Sequence, residues 1–301
     1  MGCCYSFDAN AANANVNDIG CSKQVALKLP HGISGLHYCN KQKRFVKCSD
    51  INSWLSNLYL GKIWQNWQIY NDETSHLGDN HHKKGHCKGI VAWNSSRISW
   101  LCHSVPNFPR LFSGDSISEI EPGELIYGQS FQYIELDFTV DLLTRILNQL
   151  KIMEAHIYIE QLNMNTFNQL YLLKSKTICE LKLSDTITHI AKSPSYHIDI
   201  YNDVLASHYP NVEWYVESWV RGHHIDIRLD SALIKDIKKL HFNDVEYKET
   251  QDHSKWATTK NGEYYWVGDL NRMTSQYSRG GGGFVCKDAD VARAFYQLIV
   301  F

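Results

Sequence analysis

A His-x-Lys pair stands ahead of an apolar strand twice in this chain. His86 and Lys88 sit in "GHCKGIVAWN" (85–94), and His253 and Lys255 sit in "DHSKWATT" (252–259), 167 positions further on. In a strand, residues two apart point to the same face, so each pair projects an imidazole and an ammonium into one space. The segments after the two pairs are alike too, since "GIVAWNSSRISWLCHSVPNF" and "WATTKNGEYYWVGDLN" both run strand, polar turn, strand. Each then delivers small and polar residues: His103, Ser104 and Asn107 in one half, Asp269 and Asn271 in the other. The expectation is a mixed α/β chain with a loose tail at 1–20. After it comes one domain at 21–301, built of two similar halves at about 21–150 and 151–301.

Other segments fill in the pattern. "QVALKLP" (24–30) reads as a strand stopped by Pro30, and "SFQYIELDF" (130–138) as another. Leu142, Ile146 and Leu150 recur at helical spacing. "DIYNDVLASHY" (199–209) and the C-terminal "DADVARAFYQLIVF" read as helices, the second capped near Asp288 or Asp290. "VEWYVESWVRG" (212–222) reads as a strand. The stretch 51–72 shows no clean helical period, and 230–242 is ambiguous.

Bulk properties exclude several classes. A chain of 301 residues buries about three quarters of the surface it exposes unfolded. No apolar run is long enough to span a bilayer. A formal charge of −2 argues against a strongly basic nucleic-acid binder at neutral pH. Protonating all 15 histidines would take the charge to +13, which suits a polyanionic partner under acidic conditions. The nine cysteines are irregularly spaced and form no disulfide framework. No apolar signal region is visible in the first twenty residues, but Gly2, Cys3, Cys4 and Ser6 fit a lipidation pattern. The compartment stays undecided. His76, His81, His82, His86 and Cys87 match no standard zinc spacing. His81, His82, Lys83 and Lys84 read as a solvated basic loop, and "GGGG" (280–283) as a flexible turn.

If the halves pack about a pseudo-twofold axis, two histidines and two lysines converge in one cleft. A neutral imidazole can attack phosphorus, and a protonated one can give its proton to the departing oxygen. Two lysines then neutralise the non-bridging oxygens, with no metal or cofactor required.

The chain resembles the deoxyribonuclease II family, a branch of the phospholipase D superfamily built on paired His-x-Lys motifs. The matching stretches include "VALKLP" (25–30), "GHCKG" (85–89), "WLCHSVPNFP" (100–109), "VESWVRG" (216–222), "DHSKW" (252–256), "VGDLNR" (267–272) and "RGGGGFVC" (279–286). The resemblance implies a phospholipase D-like fold and a metal-independent acid endonuclease that leaves 3′-phosphate ends on DNA. It implies a catalytic set of His86, Lys88, His253 and Lys255, joined by His103 and Asn271. Ser104, Asn107, Asp269 and Arg272 are then expected at the substrate. Ala257 and Trp266 stand where family relatives carry a disulfide, so that bridge is absent. Relatives are lysosomal or secreted, and a homodimer stays open. A lipid phosphodiesterase and an inactive DNA-binding module are the alternatives. The sequence does not assign the two histidines, although the fuller second motif inclines toward His253 as the nucleophile.

Overall fold

The chain pairs five strands in the same order twice. The computed structural model describes residues 21–80, 83–162, 178–209, 211–219 and 233–301. In the first half the strands in chain order are Cys21–Lys28, Asn66–Asn71, Lys88–Trp93, Arg97–His103 and Gln129–Asp137. In the second they are Ile187–Lys192, Trp214–Ser218, Lys255–Thr259, Tyr264–Gly268 and Gly281–Lys287. Both sets lie side by side as second, third, fourth, fifth, first. Three further strands extend the first sheet to eight, and two extend the second to seven. Every neighbouring pair is antiparallel except Trp214–Ser218 with Ile234–Asp236.

Helices recur at matching points. Ile51–Tyr59 links the first and second strands of one half, and the wide helical turns of Ile200–Leu205 do so in the other. Val140–Ile152 and Ala289–Tyr296 come directly after the two fifth strands. Asp288 caps the last helix by accepting from the backbone N–H groups of Asp290 and Val291. The helix at 51–59 corrects the expectation of an aperiodic 51–72. Ile51, Trp54, Leu55, Leu58 and Tyr59 form a buried helical stripe behind the Asp50 cap. Its period is lost in a window that also takes in the strand Asn66–Asn71.

The two sheets share one apolar core. Val91, Trp93 and Trp100 of the first sheet pack in the same cluster as Trp256, Val267 and Phe284 of the second, together with both C-terminal helices. Trp100 meets Phe284 edge-on, with ring centroids 5.0 Å apart. A fully buried side chain such as Phe284 contributes roughly 1.5–3 kcal/mol. The outer face of each sheet carries its own smaller cluster, beneath Ile51–Tyr59 in one half and Ile200–Leu205 in the other.

The glycine run is part of a strand rather than a flexible turn. Gly281, Gly282 and Gly283 pair with Lys192, Ala191 and Ile190 and are buried. A Cβ on Gly280 would lie 2.0 Å from the Met153 carbonyl oxygen, and one on Gly282 would lie 2.4 Å from that of Ile190. Close backbone approach therefore requires glycine here. Ala257 and Trp266 face each other as cross-strand partners. The seven described cysteines are free thiols. The tail with Gly2, Cys3 and Cys4, and the pair His81 and His82, lie outside the described residues. Among the described residues no helix is long and apolar enough to cross a membrane.

Candidate active site

Lys88 and Lys255 are the first residues of the third strand in their respective sheets. Each pair is seated by backbone of the opposite half. The His86 N–H donates to the Gly280 carbonyl at 2.7 Å, and the His253 N–H donates to the Gly128 carbonyl at 2.9 Å. The Lys88 N–H reaches Asp269 Oδ1 at 3.3 Å, and the Lys255 N–H reaches Ser130 Oγ at 3.1 Å. These four hydrogen bonds between the halves place both pairs at the junction of the two sheets.

The His86 ring has a fixed tautomer. Its Nδ1 lies 2.8 Å from the Asp269 carbonyl oxygen. A carbonyl only accepts, so Nδ1 carries the hydrogen and Nε2 keeps its lone pair. That Nε2 is 3.8 Å from Glu73 Oε1. Burial, reinforced by the Lys88 charge, pulls His86 down to about 3, which leaves the imidazole neutral. His253 sits in a different setting. Tyr127 stacks on it at 4.0 Å with a 10° tilt, and Trp219 approaches from another side at 4.0 Å. Aromatic faces attract an imidazolium.

The two lysines are electrostatically unequal. Lys88 Nζ lies 2.6 Å from Asp72 Oδ1 and 3.1 Å from Glu73 Oε1. Burial opposes its charge, but these two carboxylates more than offset that and hold Lys88 above the ordinary lysine range. In return the Lys88 charge takes Glu73 down to about 2. The second oxygen of Asp72 accepts from Arg279 Nη2 at 2.8 Å. Lys255 has no carboxylate at ion-pair distance among the described residues; its Nζ donates to the His253 carbonyl at 2.6 Å. Burial, with repulsion from Lys88, pulls Lys255 down to about 8.

The remaining expected residues divide into two groups. His103, Asp269 and Asn271 are buried beside the catalytic strands. His103 Nδ1 accepts from the Val105 N–H at 3.2 Å, so Nε2 carries the hydrogen and has no protein partner among the described residues. Burial pulls His103 down to about 3 and raises Asp269 to about 7. Asn271 Oδ1 is likewise buried without a partner among the described residues. The others are engaged within the fold. Ser104 Oγ donates to Gln129 Oε1 at 2.6 Å and accepts from the Ser130 N–H at 2.9 Å. Asn107 joins Ser75 to Glu124 through its side chain. Arg272 is 2% exposed, and its guanidinium bonds Asp199 at 3.0 Å and Asp236 at 2.8 Å.

Asp72, Glu73 and His86 bring ligand-type atoms within 4.8 Å of one another, a spacing open to a cation. The ammonium of Lys88 and the guanidinium of Arg279 already bind those carboxylates. Asp72 and Glu73 carry no signal in the sequence, and Tyr127 and Trp219, although Trp219 lies in the family-like "VESWVRG", are not singled out there as site residues. "YNDETSH" reads as a polar turn, and nothing in its spacing ties it to Lys88. Only the pairing of Asn71 with Lys88 brings the two together.

Two like-ordered sheets, each carrying a His-x-Lys pair seated by the backbone of the other half, form the candidate site. The chain belongs to the deoxyribonuclease II family, whose model matches residues 37–301, and is a hydrolase of the nuclease class. It is 26% identical to cell-death-related nuclease 7 of Caenorhabditis elegans, over 92% of this chain and 83% of that protein. It is 30% identical to deoxyribonuclease-2 of the same organism, over 76% of this chain and 62% of that protein. With deoxyribonuclease-2-beta of Rattus norvegicus it shares 28% identity, over 83% of this chain and 76% of that protein.

Proposed function

We propose that this chain is a metal-independent endodeoxyribonuclease that cuts DNA through a phosphohistidine and leaves 3′-phosphate ends. The observation that carries the reading is the pair of His-x-Lys motifs at equivalent places in two like-ordered sheets, each seated by the backbone of the other half. The same repetition supports a phospholipase D-like arrangement of two halves about a pseudo-twofold axis, in one domain over 21–301.

His86 is the nucleophile in this reading. Its Nε2 lone pair attacks phosphorus, the N–P bond forms and the P–O5′ bond breaks. His253, protonated between Tyr127 and Trp219, gives its proton to the departing O5′. It then takes a proton from water, which attacks phosphorus and releases the 3′-phosphate from His86. The fixed tautomer of His86 supports this assignment over the one that motif length favours. Lys255 is the charge best placed to neutralise the non-bridging oxygens, because no carboxylate of the described residues lies at ion-pair distance from it. His103 Nε2 and the Asn271 amide supply further polar contacts to phosphate. Lys88 and Arg279 occupy the carboxylates that would otherwise recruit a cation, which supports chemistry without a metal.

The test is plasmid DNA with the purified chain at pH 5 in excess EDTA. Nicked and linear products with ends that a polymerase extends only after phosphatase treatment are expected. Cleavage that appears only on adding a divalent metal would overturn the reading.

A further inference from the structure

Two lysines outside the catalytic pairs hold one position twice. Lys28 is the last residue of Cys21–Lys28 and Lys192 the last of Ile187–Lys192, each within a Lys-x-Pro sequence. Each lies opposite the residue that opens its half's fifth strand: Lys28 faces Gln129, and Lys192 faces Gly281. They are 1% and 0% exposed. Neither has a carboxylate at ion-pair distance among the described residues. Their ammonium groups are spent on backbone carbonyls instead. Lys28 Nζ donates to Leu29 at 2.8 Å, Gly32 at 3.1 Å and Leu125 at 2.8 Å. Lys192 Nζ donates to Tyr196 at 3.0 Å and Tyr277 at 2.7 Å.

The loops tied in this way are the ones that seat the catalytic histidines. The segment fixed at Leu125 runs into Tyr127, which stacks on His253, and Gly128, whose carbonyl accepts from the His253 N–H. The segment fixed at Tyr277 runs into Arg279, which bonds Asp72, and Gly280, whose carbonyl accepts from the His86 N–H. We propose that Lys28 and Lys192 are a matched pair of positioning residues. Each holds the loop of its own half against which the other half's catalytic histidine rests, Lys28 for His253 and Lys192 for His86.

Stability alone does not explain this choice. Burying an ammonium costs several kcal/mol of desolvation, and an apolar side chain fills such a place at lower cost. An ammonium supplies three donors from one atom and gathers carbonyls from separate turns, which an apolar chain cannot do. The sequences around the two lysines, "VALKLP" and "HIAKSP", otherwise share little, yet the same device stands at both sites. Burial pulls both lysines to about 8, so both remain charged at neutral and acidic pH.

The proposal rests on the phosphohistidine reading, and its test separates the two. Lys28→Met and Lys192→Met in the full chain are assayed on plasmid DNA and on bis(p-nitrophenyl) phosphate, whose leaving group needs no proton. His86→Ala and His253→Ala are run beside them. A displaced catalytic group costs on the order of 10- to 100-fold in kcat. Lys28→Met is expected to lose that much on DNA with KM nearly unchanged, and to keep most of its activity on the nitrophenyl diester. Lys192→Met is expected to lose it on both substrates. If the two alanine variants fail to separate on these substrates, the phosphohistidine reading falls. If they separate while the two lysine variants lower both substrates alike, or lower only Tm, the positioning proposal is overturned. Should a methionine variant not fold, Lys→Gln at the same site keeps two donors and is expected to give the same pattern in weaker form. Failure of that variant to fold as well would make the lysine a requirement of folding, and the proposal would fall.

Discussion

Asp72 and Trp219 stand at the same place in the two sheets, one a carboxylate and the other an indole. Asn71 is paired with Lys88, and Ser218 with Lys255. Asp72 and Trp219 therefore each follow the residue paired with their own half's lysine. In the first half that neighbour, with Glu73, neutralises Lys88. In the second, the indole lies against His253 instead. The substitution of one residue type at one position gives two His-x-Lys pairs of like geometry different electrostatic duties.

Lys88→Met and Lys255→Met should accordingly behave differently. The first leaves the buried Asp72 with Arg279 alone and the half-buried Glu73 without its lysine, a loss of about 3–5 kcal/mol in stability. The second removes a charge that no carboxylate among the described residues pairs with, so Tm should hold while turnover falls roughly 10²–10³-fold. Thermal unfolding and kcat measured on both variants check this. Equal shifts in Tm would show that the carboxylates do not discriminate between the lysines.

Arg272→Met distinguishes an internal brace from a substrate contact. Asp199 and Asp236 hold the guanidinium, so its removal should cost about 3–5 kcal/mol with little change in KM for DNA. A large rise in KM at unchanged Tm would place Arg272 on the substrate.

Glu217 gives the fold a pH dependence that can be isolated. It is 0% exposed, neither carboxyl oxygen has a hydrogen-bond partner among the described residues, and burial raises it well above the usual carboxylate range. The native state thus keeps a proton that the unfolded chain releases near pH 4–5. Its contribution is full below that point and is lost as pH rises toward the native value. His86 and His103, both lowered, act in the opposite sense below about pH 6.5. The diagnostic is therefore a difference: the change in Tm between pH 5 and pH 8 should include a loss in wild type that Glu217→Gln lacks. Parallel curves for the two proteins would mean that Glu217 does not hold a proton.

Cleavage of DNA should decline as pH rises past about 7, because the acid histidine must carry its proton to the departing oxygen. The nitrophenyl diester should lose less over the same range. Identical alkaline limbs on the two substrates would remove general-acid catalysis as the cause.

The sequence by itself determined the repeated His-x-Lys pair and the family. Lys88 and Lys255 are legible as strand residues because strand alternation is local, whereas His86 and His253 stand two residues ahead of the strands, outside the alternation expected to join them to the lysines. The strands around them, and the helix over Val140–Ile152, arise from the same short-range periodicities. Beyond its reach lay everything that arises between segments. Asp72 reaches Lys88 only through strand pairing, Asp269 reaches His86 across 183 positions, and Tyr127 reaches His253 from the opposite half. The glycine run reads as a turn because nothing local reports the Met153 carbonyl packed against it. Arg272 reads as a substrate residue because nothing local reports Asp199 and Asp236. Periodicity fixes which way a side chain faces, but burial and ion pairing depend on what packs opposite, and that is decided only when the two sheets close on their common core.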